Sequence, residues 1–173
     1  KLLAEASCRV GGRIIGISSD YVFDGKNGPY DETDITNPIN EYGKAKLKGE
    51  EMLSKYCPNS LSIRSCVLYD WNNKPRRENF LVWLTKKLAR DENVKIVDDQ
   101  FATPTFIPQL AEVIIQLLQT DYNGVLNVSG SEWVSRYQFS VKAAEIFGLD
   151  SSLIIRCDSS EFVQKAARPL KGG

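Results

Sequence analysis

Short apolar runs alternate with helix-forming stretches of ten or more residues along most of the chain, and this alternation constrains the fold more than any other feature. The runs are 13–18 (RIIGIS), 60–68 (SLSIRSCVL), 94–97 (VKIV), 125–128 and 153–157. Between them, 41–56, 78–91, 108–119 and 135–147 carry good helix formers, with Phe80, Leu81, Leu84 and Leu88 at helical spacing. Pro108 suits a first helical turn and Gly148 a helix stop. Residues 1–9 read as the end of a helix halted by Gly11-Gly12. Strands joined through helices require crossover connections, so the expected fold is α/β, a parallel sheet with helices on both faces.

A chain of 173 residues can bury one sizeable core. Twenty-two basic and twenty-two acidic residues cancel, which argues against nucleic acid or an acidic membrane as the main partner. No apolar run reaches the length of a membrane span. The basic pairs Arg76-Arg77 and Lys86-Lys87 read as solvated faces. There is no histidine, and the four cysteines form no C-x-x-C pair, so no metal site is expected. Cys66 and Cys157 sit in or beside apolar runs as small buried hydrophobes, and free thiols fit a reducing, cytoplasmic setting.

Chemistry concentrates where the first strand ends, in ISSDYVFDG (17–25). Ligands of open parallel sheets bind outside the carboxyl ends of the strands, so Ser18, Ser19 and Asp20 face a crevice or, alternatively, open a turn. One loop later comes Tyr42-Gly43-Lys44-Ala45-Lys46. Tyr42 and Lys46, four apart on a helix, share one face. An ammonium beside a phenol favours the phenolate and equips the tyrosine to deliver a proton near neutrality. A hydroxyl, a phenol and an ammonium at one sheet edge suit a reacting carbonyl, with the electrons supplied by a bound hydride donor.

These residues, with PYDETDITNPINEYGKAKLKGEE, IRSCVLYDW, DDQFATPT, SRYQFS and the late ARP, resemble the dTDP-4-dehydrorhamnose reductases of the extended short-chain dehydrogenase/reductase family, from about residue 8 to residue 169. The resemblance implies a Rossmann-like parallel sheet plus a small C-terminal substrate-binding part. Residues 1–70 would be the later portion of the dinucleotide-binding domain, and 71–173 a mixed remainder interleaved with its sheet. It implies NADP(H) or NAD(H) as cofactor, a nucleotide-sugar substrate reduced at its 4-keto group, and compatibility with a homodimer. Carried over residue by residue, Ser19, Tyr42 and Lys46 would be catalytic. Ser18, Tyr42, Lys46, Arg64, Ser65 and Cys66 would meet the cofactor. Asp20, Gln100, Thr103 and Arg168 would meet the substrate. A structural ion pair is the alternative for Arg64. The glycine-rich phosphate-binding fingerprint is absent, and it is expected in roughly eighty to a hundred residues upstream. Ala45 stands where many relatives carry Ser or Thr, and no Trp follows Arg64-Ser65. Two other readings stay open: a non-catalytic regulatory subunit resembling methionine adenosyltransferase beta, and an epimerase or dehydratase of the same superfamily.

Overall fold

A computed structural model describes residues 1–71 and 78–173, so Arg76 and Arg77 lie outside the described residues. The chain opens with α1 (Leu2–Arg9) and runs into β1 (Ile15–Ile17) and a 3-10 turn, Asp20–Val22. Then come α2 (Glu41–Tyr56), β2 (Leu61–Arg64), β3 (Leu68–Tyr69) and α3 (Phe80–Leu88). β4 (Val94–Val97), β5 (Phe101–Ala102) and β6 (Thr105–Phe106) lead to α4 (Ile107–Leu117). The remainder is β7 (Gly124–Asn127), β8 (Val134–Ser135), α5 (Arg136–Phe147) and β9 (Ile154–Cys157).

β1, β2 and β7 form a parallel sheet in that order, with Ile17 opposite Ile63 and Arg64 opposite Asn127. Strand alternation assigns its two faces. Leu61 and Ile63 are fully buried against Leu110, Ile114 and Leu117 of α4. Arg64 points to the other face and meets Glu50 of α2. Helices therefore cover both faces, as the alternating pattern requires. Asn40 caps α2 by accepting from Gly43 N at 2.8 Å. Gly43 is required there: a Cβ would overlap the Tyr21 carbonyl, and its absence lets α2 press against the 3-10 turn.

The second core lies under β4 and β9, a parallel pair. Leu81, Leu84 and Leu88 of α3 pack on Val94 and Ile96 of β4, Ala143 and Ala144 of α5, and Ile154 of β9. Asn79 caps α3 through Val82 N, and a reciprocal Ser135–Gln138 capping box starts α5. One strand expectation changes. The run 60–68 is not a single strand: it ends at Arg64, and Val67 takes a φ of 41° before β3 pairs with β6 instead. A β-branched residue in that region is strained, and the kink turns the chain out of the main sheet.

Leu84 is completely shielded from solvent. Leu84→Ala should lower the unfolding free energy of the full gene product by about 2–5 kcal/mol, measured by urea denaturation, because the cavity cannot close without moving two helices.

Candidate active site

The polar cluster sits at the carboxyl end of β1. Ser18 N donates to Ile63 O at 2.7 Å and Asp20 N to Ser65 O at 3.3 Å, so the pairing with the β2 chain runs on past both strands. The Asp20–Val22 turn then redirects the chain, with Tyr21 N donating to Ser19 Oγ at 3.3 Å. Ser19 Oγ in turn donates to Asp20 Oδ1 at 3.0 Å.

α2 brings its pair to the same place. Lys46 Nζ donates to Ile17 O at 2.9 Å, on the last residue of β1, and lies 5.6 Å from the centroid of the Tyr42 ring. Tyr42 is half exposed and meets Tyr21 edge-on, with centroids 5.6 Å apart. The expected hydroxyl, phenol and ammonium thus cluster around one strand end.

Of the three, Tyr42 lines a cleft of about 1080 Å³, together with Tyr21, Gln100, Arg136 and Arg168 among others, while Ser19 and Lys46 stand outside its lining. Lys95 and Lys165 add two more cations, against Glu41 as the one acid in its wall. Phe80 and Trp83 stack at 5.8 Å, with the Arg136 guanidinium 5.1 Å above Phe80. Such a cleft suits an anionic ligand that also carries a flat ring.

Asp20 lies beneath this wall, 8% exposed. Burial raises its carboxyl to about pH 6, and hydrogen bonds from Ser19 and from the Gly173 backbone hold the rise in check. Burial likewise raises the Tyr21 phenol, helped by the Asp20 charge and opposed by Arg168 and Arg136. Arg136 is pulled down by burial and pushed back up by Tyr21 and Asp20. The Cys66 thiol is pushed up to about 12, first by burial and then by Asp20, so it stays protonated and is no nucleophile.

Not every expected residue reaches the cleft. Tyr42, Gln100 and Arg168 do. The side chains of Ser18 and Arg64 instead both engage Glu50. Ser18 Oγ bonds to Glu50 Oε1, and Arg64 forms a two-point pair through Nε (3.0 Å) and Nη2 (2.7 Å). For Arg64 this is the ion-pair alternative, with Nη1 left buried and without a partner. Ser65 bonds to Thr105 Oγ1 at 3.2 Å and Cys66 to Thr103 O at 3.0 Å, so these two, with Thr103, fasten the wall behind the cleft. Arg136, Tyr21, Lys95 and Lys165 were not anticipated individually. Arg136 had one usable signal: a cation in the first turn of a helix opposes the helix dipole, which points to a duty elsewhere.

A family model described as the RmlD substrate binding domain matches residues 1–172. The chain belongs to this family. The dTDP-4-dehydrorhamnose reductase of Mycobacterium tuberculosis is 33% identical over 172 residues, covering 96% of the chain and 56% of that relative. The methionine adenosyltransferase 2 subunit beta of Danio rerio is 31% identical over 164 residues, covering 92% and 51% respectively. The crystal structure of dTDP-4-dehydrorhamnose reductase from Bacillus anthracis in complex with NADP superposes with a TM-score of 0.90 at 29% identity, over 98% of this chain and 59% of that one. The chain thus spans little more than half the length of these relatives. Among the described residues no helix is long and apolar enough to cross a membrane.

Two measurements probe the site. Glu50→Gln leaves the Arg64 charge buried and uncompensated and should lower stability by about 3–5 kcal/mol in chemical unfolding. Asp20 has a folded pKa of about 6 against an ordinary 3.8, so the folded state holds its proton more tightly. Its contribution to stability is therefore intact below pH 4 and is lost as pH rises through 6, by up to about 3 kcal/mol. Asp20→Asn should remove this decline, seen as a smaller stability difference between pH 4 and pH 7 than in the parent.

Proposed function

We propose that the protein is a nicotinamide-dependent reductase acting on the 4-keto group of a dTDP-linked 6-deoxy sugar, as a dTDP-4-dehydrorhamnose reductase does. The observation that carries this reading is the placement of Tyr42, with Lys46 against its ring, at the edge of a cleft walled by Lys95, Arg136, Lys165 and Arg168. A tyrosine and lysine at a strand end answer a carbonyl, and Arg136, Lys165 and Arg168 answer a diphosphate, Lys95 being paired with Glu161.

The residues present fit the nicotinamide end of a dinucleotide. Lys46 and Tyr42 stand at the open edge of β1, which pairs only with β2 among the described residues, and they would hold the nicotinamide ribose. When bound, the cofactor supplies the hydride. Tyr42 then delivers a proton from its hydroxyl to the carbonyl oxygen, and Lys46 keeps the phenol oriented. Ser19 holds that oxygen by turning its O–H away from Asp20, its present acceptor. Arg136 and Arg168 neutralise the diphosphate, and the Phe80–Trp83 pair offers the base a stacking face.

A second reading is favoured by the match to methionine adenosyltransferase 2 subunit beta: a regulatory subunit that binds dinucleotide and a partner protein. The two separate in one assay. The full gene product, mixed with NADPH and dTDP-4-dehydrorhamnose, should consume the nicotinamide absorbance and yield the reduced sugar. Tyr42→Phe should lose on the order of 10²–10⁴-fold in turnover while still binding NADPH. Cofactor binding without any turnover of the sugar would reject the reductase and leave the regulatory reading.

A further inference from the structure

The last six residues form an extended strap laid across the catalytic turn, and the chemistry described so far uses only the first of them, Arg168. The strap is hydrogen-bonded at four successive residues. Phe101 N donates to Leu170 O at 2.6 Å, Lys171 N to Gly25 O at 2.9 Å, and Gly172 N to Phe101 O at 3.0 Å. Trp133 Nε1 donates to Gly172 O at 2.8 Å, and Tyr30 N to Gly173 O at 2.7 Å. Just before the strap, Ala167 O accepts from Asn40 Nδ2 at 2.8 Å, on the residue that caps the Tyr42 helix. The strap thus ties the loop at 25–30, Phe101, Trp133 and the start of α2 into one unit.

Its far end meets Asp20. Gly172 lies so close that a Cβ would overlap Asp20 Oδ2, and the neighbouring Gly173 backbone favours the charged carboxylate. Only glycine fits at 172. A buried carboxylate needs donors. Ser19 is one, at 3.0 Å, whereas the amides of Asp20 and Tyr21 are engaged by Ser65 O and Ser19 Oγ. The strap backbone at Gly172 and Gly173 is the contribution from outside the turn. If Ser19 turns its O–H to a substrate, that backbone is what keeps the carboxylate in place.

We propose that Gly172 and Gly173 are positioning residues of the active site: the strap's backbone fixes the Asp20 carboxylate, and through it the Ser19 hydroxyl, while setting Arg168 in the cleft wall. The roles of Ser19 and Arg168 rest on the reductase reading; the hold on Asp20 does not. The other titratable groups that sense the Asp20 charge are Tyr21, Cys66 and Arg136.

The test uses the full gene product and reads Asp20 directly, by carbon-13 NMR titration of its carboxyl, alongside kcat and KM with NADPH and dTDP-4-dehydrorhamnose. Gly172→Ala pushes the carboxylate away from the strap backbone. The Asp20 titration should move up by roughly one pH unit. Turnover should fall about tenfold or more with KM for NADPH unchanged. In an Asp20→Ala background the same substitution should cause no further loss, since the group it collides with is gone. Trp133→Phe removes one strap hydrogen bond while leaving a ring to stack on Phe101, and should shift the titration the same way by less. It also serves if Gly172→Ala does not fold. An unmoved Asp20 titration in the variants that fold overturns the proposal, as does an equal loss of turnover with and without Asp20. A moved titration in a protein that never reduces the sugar rejects the reductase and keeps the strap.

Discussion

The buried pair between Glu50 and Arg64 holds the Tyr42-bearing helix in place, and the site geometry depends on it. Both side chains are 6% exposed, and Arg64 also lies 5.0 Å above the Phe23 ring. Ser18 joins through its hydroxyl, so one carboxylate links α2, the end of β1 and β2. Such a pair is not an efficient source of stability, because removing two charges from water offsets most of their attraction. Apolar residues of similar volume would do as well for stability alone. They would also allow α2 to slide along its axis, whereas a two-point guanidinium–carboxylate contact accepts one register. A shift of a single turn would carry Lys46 away from Ile17 and Tyr42 away from Tyr21.

Electrostatics follow from that placement. The cleft wall is cationic, and the one buried acid beneath it, Asp20, is held near pH 6 rather than near 4. Lys95 is paired with Glu161 at 3.0 Å, which leaves Arg136, Lys165 and Arg168 as the cations turned to the cleft, and Arg168 repels Arg136. Arg136 illustrates the tension, since burial lowers it while Tyr21 and Asp20 restore it. A diphosphate in the cleft would offset the repulsion between Arg136 and Arg168.

The parallel sheet and its flanking helices were legible because their signals are local: apolar runs, helical spacing, Pro108 and Gly148. The Tyr42–Lys46 pair was legible for the same reason, being one helical turn apart. The break at Val67 was not, because IRSCVLY reads as an unbroken strand and only the pairing of β3 with β6 reveals the kink. Ser18 and Arg64 look like ligand-facing residues until Glu50, 14 positions from Arg64, is seen to meet both. The strap is harder still. Glycines near the end of a chain carry no chemical signal, and their meaning lies in what their missing side chains leave room for.

The burial of Asp20 bears on the choice between the two functional readings. Above pH 6 its charge is a liability of up to about 3 kcal/mol to the fold. An asparagine would accept the same Ser19 hydrogen bond without burying a charge. A carboxylate beneath a serine hydroxyl, next to a tyrosine–lysine pair, makes sense where a proton or a developing charge must be managed. Perturbed acids of this kind concentrate at reaction sites. The raised Asp20 carboxyl is in keeping with the reductase proposed above, in which Ser19 and Asp20 stand at the reacting carbonyl.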